Sequence, residues 1–233
     1  MSMPFYVSPE QVMNDKAQYA RKGIARGRSL CGLVFEDGIV LAAENPSKVL
    51  HKVSEIYDRI AFAGAGMYSE YDQLRRQGVQ FADLRGYQYS REDVGARSLA
   101  NAYAQVMHNV FTTEIKPLEV EILVAEVGLV PGEDQLFRIT FDGIVVDEDE
   151  YTVLGGESEP VAERLKETWR PGLSLGDALR TARAALAGPD RELDAAVLEV
   201  AVLSRSSGRR AFRRIDGDAL VELLGASAPG GPS

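Results

Sequence analysis

The chain has one cysteine, Cys31, and one tryptophan among its 233 residues. A lone cysteine excludes an internal disulfide framework and fits a reducing compartment. Histidine is also scarce. His51 and His108 stand far apart without cysteines or spaced acids around them, and zinc asks for three or four ligands in a recognisable pattern. No metal and no cofactor are expected. Positive charge is in deficit, with 26 Lys and Arg against 35 Asp and Glu and a formal net charge of -9. That balance argues against a nucleic-acid partner, which requires a cationic footprint to displace counterions. No apolar run approaches the roughly 18 residues of a membrane span, so no membrane partner is expected. The opening MSMPFYVSPEQ has no basic segment followed by an apolar stretch, so no secretory signal is read there and a cytoplasmic location is the expectation.

Nucleophile and phosphate signatures are missing as well. There is no Walker loop and no G-x-S-x-G elbow. Gly64–Ser69, GAGMYS, follows an expected strand and precedes an expected helix, but it lacks the third glycine of a dinucleotide fingerprint. It reads as a small-residue strand end that lets layers approach. The acidic run Asp147–Glu150 reads as a solvated turn.

What is present is the pattern of an ordinary globule, 45% hydrophobic and 26% charged, long enough for a complete core. One domain over 1–225 is expected, with a loose arm at 1–7 and a disordered Gly/Pro tail at 226–233. Ser8, Pro9 and Gln11 read as a helix start with a capping box, opening a helix over 8–26. Its apolar stripe is Val12, Met13, Ala17, Ala20 and Ile24. Ser29–Phe35 and Ile39–Glu44 form a hairpin about Asp37-Gly38. A strand at Arg59–Ala65 precedes helices near Ser69–Asp83 and from Ser90, the second with Leu99, Tyr103, Val106 and Val110 at helical spacing.

Strands follow at Val120–Val127, Gln135–Phe141, Gly143–Asp147 and Tyr151–Leu154, then helices at Glu157–Trp169 and Ser174–Ala187. Strands at Ala195–Ser204 and Arg210–Ile215 and a short helix at Asp218–Leu224 close the chain. Hairpin-linked strands with helices arriving in pairs imply two antiparallel sheets face to face, each covered outside by helices. The fold class expected is α+β, a four-layer αββα sandwich.

The hairpin GRSLCGLVFEDGIVLAAE, Gly27–Glu44, is how an N-terminal-nucleophile hydrolase opens. FYVSPEQVMNDKAQYARKGIARGRS, DGIVLAAENPSKVLHKVSEIYDRIAFAGAG, LRRQGVQFADLRGY, KPLEVEILVAE, RITFDG and RRAFRRI carry the resemblance further. Taken together, they resemble a proteasome α-subunit of the actinobacterial type, nearly end to end. Catalytic relatives of that family use an N-terminal threonine, a carboxylate at the end of the second strand and a lysine at the start of the third. With Gly32 as anchor, the nucleophile position falls on Arg28, the carboxylate on Glu44 and the lysine near Arg59. Arginine has no nucleophilic oxygen and does not act as a base near neutral pH. No catalytic residue is therefore expected. A self-processing amidohydrolase starting at Ser29 is the alternative, one place out of register.

The resemblance implies the rest. The chain would stand in a homo-heptameric ring, dock on β-subunits carrying the threonines, and pass unfolded protein substrates. Met1, Ser2, Met3, Pro4, Phe5, Tyr6 and Val7 would form a gate, anchored by Ser8 and Pro9, with Tyr19 helping to seat the helix. A ring ATPase would insert its C-terminal tails beside Lys52, with Gly27 and Met67 as walls.

Overall fold

The computed structural model describes residues 8–225, so the arm expected at 1–7 and the tail at 226–233 lie outside the described residues. Helix α1 (Pro9–Ala25) starts as its sequence dictates. The Ser8 hydroxyl accepts the Gln11 amide at 3.2 Å, and Pro9 fills the first turn, where no N–H is needed. Replacing Ser8 by alanine should cost about 1 kcal/mol, read as a melting temperature lower by about 2–4 °C. An unchanged melting temperature would show that the cap contributes nothing. Only the C-terminal half of the expected stripe is buried: Ala20 and Ile24 pack on Phe141, while Val12 and Met13 are exposed.

The described residues hold ten strands: β1 (Leu30–Phe35), β2 (Gly38–Glu44), β3 (Val53–Tyr57), β4 (Ile60–Gly66), β5 (Val120–Glu126), β6 (Gln135–Ile139), β7 (Val145–Glu148), β8 (Tyr151–Leu154), β9 (Leu198–Ser204) and β10 (Phe212–Ile215). They form two five-stranded sheets, β10-β9-β2-β1-β8 and β3-β4-β5-β6-β7. Every neighbouring pair is antiparallel. The remaining helices are α2 (Tyr68–Gln88), α3 (Ala96–Thr113), α4 (Ser158–Thr168), α5 (Leu175–Ala187) and α6 (Gly217–Gly225).

Period-two alternation assigns each strand residue to a layer. On β1, Cys31, Leu33 and Phe35 face α4 and α5, whereas Leu30 faces the opposing sheet. On β4, Ile60 and Phe62 face α2 and α3, and Ala61, Ala63 and Ala65 face inward. Three inward alanines let the sheets approach, as the small-residue reading of this strand anticipated. The expected αββα sandwich is the fold, with α1 across one end of it.

Four local expectations need correction. Strand β3 is invisible to alternation because its register shifts between Glu55 and Tyr57, leaving Ile56 and Tyr57 both buried. Helix α2 runs past Asp83 to Gln88. Its Gly78 and Gly86 are sites of close packing, under the hydroxyls of Tyr103 and Tyr57. Ser90 caps a short 3-10 turn, Arg91–Asp93, and α3 begins only at Ala96, burying Leu99, Tyr103 and Met107 while Val106 is exposed. Gly143 belongs to a turn at φ +85°, and β7 starts at Val145.

Candidate functional site

The β1–β2 register places Leu30 opposite Ala43, and the Glu44 amide donates to the Ser29 carbonyl at 3.3 Å. Arg28 and Glu44 thus meet at the sandwich end that α1 crosses. Glu44 is 6% exposed. The Arg28 guanidinium donates to its Oε1, and Arg191, in the α5–β9 connection, grips both oxygens at 3.1 and 2.8 Å. Burial alone would raise the Glu44 carboxyl. The hydrogen bond and charge of Arg191, with those of Arg28, outweigh it and hold the group below its ordinary value.

Ser29 is buried, and its hydroxyl accepts the Glu157 amide at 3.1 Å. It serves as a structural acceptor ahead of α4. A pocket of about 280 Å³ lies over these groups, lined among others by Gly27, Arg28, Glu44, Glu157 and Arg191.

The missed strand relocates the lysine. The third strand is β3, and the residue immediately ahead of it is Lys52, not Arg59. Arg59 lies in the β3–β4 turn, about 17 Å away at one strand rise per residue. There it donates to the carbonyls of Val127 at 2.8 Å and of Gly128. Lys52 instead donates its ammonium to the Arg28 carbonyl at 2.5 Å. Burial lowers the Lys52 ammonium to about 8, against the opposing pull of Glu199 and Glu44. Two of the three parts that the resemblance names, Glu44 and Lys52, therefore stand together. Arg28 stands beside them, where the resemblance puts the third.

Gly27 and Met67 join this cluster through Gly66. The Lys52 carbonyl takes the Gly64 amide at 3.0 Å, fixing it to the end of β4. The Gly27 backbone lies against Gly66, where an added Cβ would stand 3.0 Å from the Gly66 nitrogen. The Met67 side chain follows, exposed at the head of α2. Tyr19 lies on the exposed side of α1. It is half exposed, with the Lys116 ammonium 5.9 Å from its ring, while Ala20, Ile24 and the Lys16 bond to the Phe111 carbonyl at 3.0 Å hold the helix. Ser8 and Pro9 open α1, and Met1–Val7 of the expected gate lie outside the described residues.

Arg191 and Glu199 were not foreseen from the sequence. Glu199 accepts the backbone amides of Lys52 and Val53 at 2.9 and 3.2 Å and the Asn45 side chain at 2.7 Å. It thereby pins the loop into β3. Neither residue has a spacing signal, because loop and strand meet only in the folded chain. Among the described residues no His, Cys, Asp and Glu side chains group to hold a metal. No described helix is long and apolar enough to cross a membrane.

A sequence model described as Proteasome subunit matches residues 24–203. Proteins named Proteasome subunit alpha are similar over nearly the whole chain. The one from Sanguibacter keddieii is 58% identical over 98% of this chain and 91% of its own. That from Xylanimonas cellulosilytica is 56% identical over 97% of both chains. That from Acidimicrobium ferrooxidans is 56% identical over 99% of both chains. The family match leaves most of α1 out, whereas such coverage leaves no room to omit this 17-residue helix. The two-sheet sandwich, the helix across its end and the Arg28–Glu44–Lys52 cluster thus go with a sequence match along the full length, and the chain belongs to the proteasome subunit family, among its alpha subunits.

Proposed function

We propose that this chain is a non-catalytic α-subunit of a bacterial proteasome core in the cytoplasm. It forms an outer ring of seven, docks on a ring of β-subunits that carry the threonine nucleophiles, and controls the entry of unfolded protein substrates. The observation that carries this reading is Arg28. At the nucleophile position stands a side chain with no nucleophilic oxygen, its guanidinium bound to the carboxylate that would tune a nucleophile. Ser29 is a poor substitute, since its hydroxyl is occupied by the Glu157 amide.

Residues 1–7 act as the gate, with Ser8 and Pro9 as the anchor at the start of α1. Lys52, with Gly27 and Met67 beside it, receives the terminal carboxylate of a ring ATPase tail. An ammonium in a partly desolvated groove makes a strong charge-assisted contact with a carboxylate. Removing residues 1–7 should raise peptide hydrolysis by the reconstituted α/β core several-fold, with assembly unchanged by native mass measurement. A rate no higher than that of the full-length core would sink the gate.

A further inference from the structure

Lys52 stands beside two carboxylates and pairs with neither. Glu44 and Glu199 both act electrostatically on its ammonium, yet its partner is the neutral carbonyl of Arg28. Among the described residues Lys52 forms no ion pair. Each carboxylate is already occupied. Glu199 accepts from Asn45, the amides of Lys52 and Val53, and Arg214 at 2.9 Å, with His51 Nδ1 at 3.3 Å. A carboxylate offers about four lone-pair sites, so this one is saturated. Glu44, almost fully buried, carries two guanidiniums.

The two guanidiniums are in excess of what one carboxylate needs for neutrality. A buried carboxylate requires a counter-ion, and without them Lys52 is the nearby cation left to provide it. That collapse would turn a free ammonium into half of an internal salt bridge. Arg191 is anchored from outside the cluster, through the carbonyls of Ala187 at 3.0 Å and Leu186 at 3.1 Å at the end of α5. Its fork therefore meets Glu44 in a fixed geometry, as a flexible ammonium would not.

We propose that Arg28 and Arg191 are positioning residues that occupy Glu44 and so leave the Lys52 ammonium free to bind the terminal carboxylate of a partner peptide. This rests on the reading of Lys52 as the docking group. The substitution that removes a nucleophile at position 28 then has a second consequence. It helps convert a lysine facing a carboxylate into a receptor for someone else's.

The test uses the assembled α/β core and one probe, an activator-tail peptide with a free C-terminal carboxylate or as its amide. In the unsubstituted core the acid should bind about tenfold or more tighter than the amide, as expected for a hydrogen bond between charged groups. Lys52→Ala should erase that preference. The pair Arg28→Gln and Arg191→Gln should also erase it, with Arg191→Gln alone giving a smaller loss, and adding Glu44→Gln to the pair should restore it. Loss without restoration, or a preference undiminished in the pair, overturns the inference while the docking reading stands.

A second readout follows the titration of Lys52 itself, by the pH dependence of its acetylation in intact cores, read by peptide mass spectrometry. Its midpoint, about 8 in the unsubstituted core, should rise in the pair as Glu44 becomes its counter-ion and fall back on adding Glu44→Gln. Should the unsubstituted core show no preference for the acid, the docking reading fails. The midpoint then decides only whether the two guanidiniums keep Glu44 from pairing with Lys52, and an unmoved midpoint overturns that.

Discussion

Replacing Lys52 by alanine should abolish stimulation of the core by a ring ATPase while the particle still assembles. The substitution deletes a hydrogen bond between an ammonium and a carboxylate, about 1.5–3 kcal/mol for each tail, or roughly tenfold to a hundredfold in affinity. Partial burial of Lys52 keeps that bond from being screened as a surface pair would be. Stability should not fall with it. A lysine whose pKa is lowered on folding is harder to charge in the native state, so the folded chain is penalised below about 8 and the penalty disappears only above the ordinary lysine value. Alanine removes that penalty together with the bond to the Arg28 carbonyl. The same titration sets the pH dependence of docking. The ammonium is charged below about 8, so tail-dependent stimulation should decline as the pH rises through that value. Stimulated degradation, native mass and thermal unfolding measured side by side check all three. Undiminished stimulation would refute the assignment of Lys52.

Gly66→Ala should be among the most damaging small substitutions near the site. Gly66 has φ +105°, a region an L-residue enters only with strain, and an added Cβ would run into the Glu119 carbonyl. That carbonyl cannot simply retreat, because it accepts the Met67 amide at 3.0 Å and belongs to a residue 5% exposed. Strain together with the backbone shift should cost about 3 kcal/mol or more. For a chain of this size that is a melting temperature lower by about 6–12 °C. The displaced backbone also carries Gly27, which lies directly on Gly66, and Met67, which follows it. A melting temperature within 2 °C of the parent, on the scale of about 2–4 °C per kcal/mol, would show that β4 and β5 can part without cost.

The helices and the long central strands were legible because their signals are local. Ser8-Pro9 and Ser174 announced α1 and α5, and Asp37-Gly38 announced the first hairpin. Strand β3 was not legible, since its bulge breaks the alternation on which a strand reading depends. The omission propagated into the site. Counting from the wrong third strand placed the lysine near Arg59, a full strand length from Arg28, and gave Lys52, which touches Arg28, the docking role alone.

The sequence by itself determined the sandwich, the helix ahead of it and the arginine at the head of the first hairpin, Arg28. All three are matters of residue type and short-range spacing, which are written along the chain. Only the tertiary structure decided which charges meet. Glu44 is separated from Arg191 by 147 residues and Lys52 from Glu199 by the same number. Which cation neutralises which buried carboxylate depends on distance through space and on the number of donors already there. Those quantities come into being when the two sheets close and α1 covers their end.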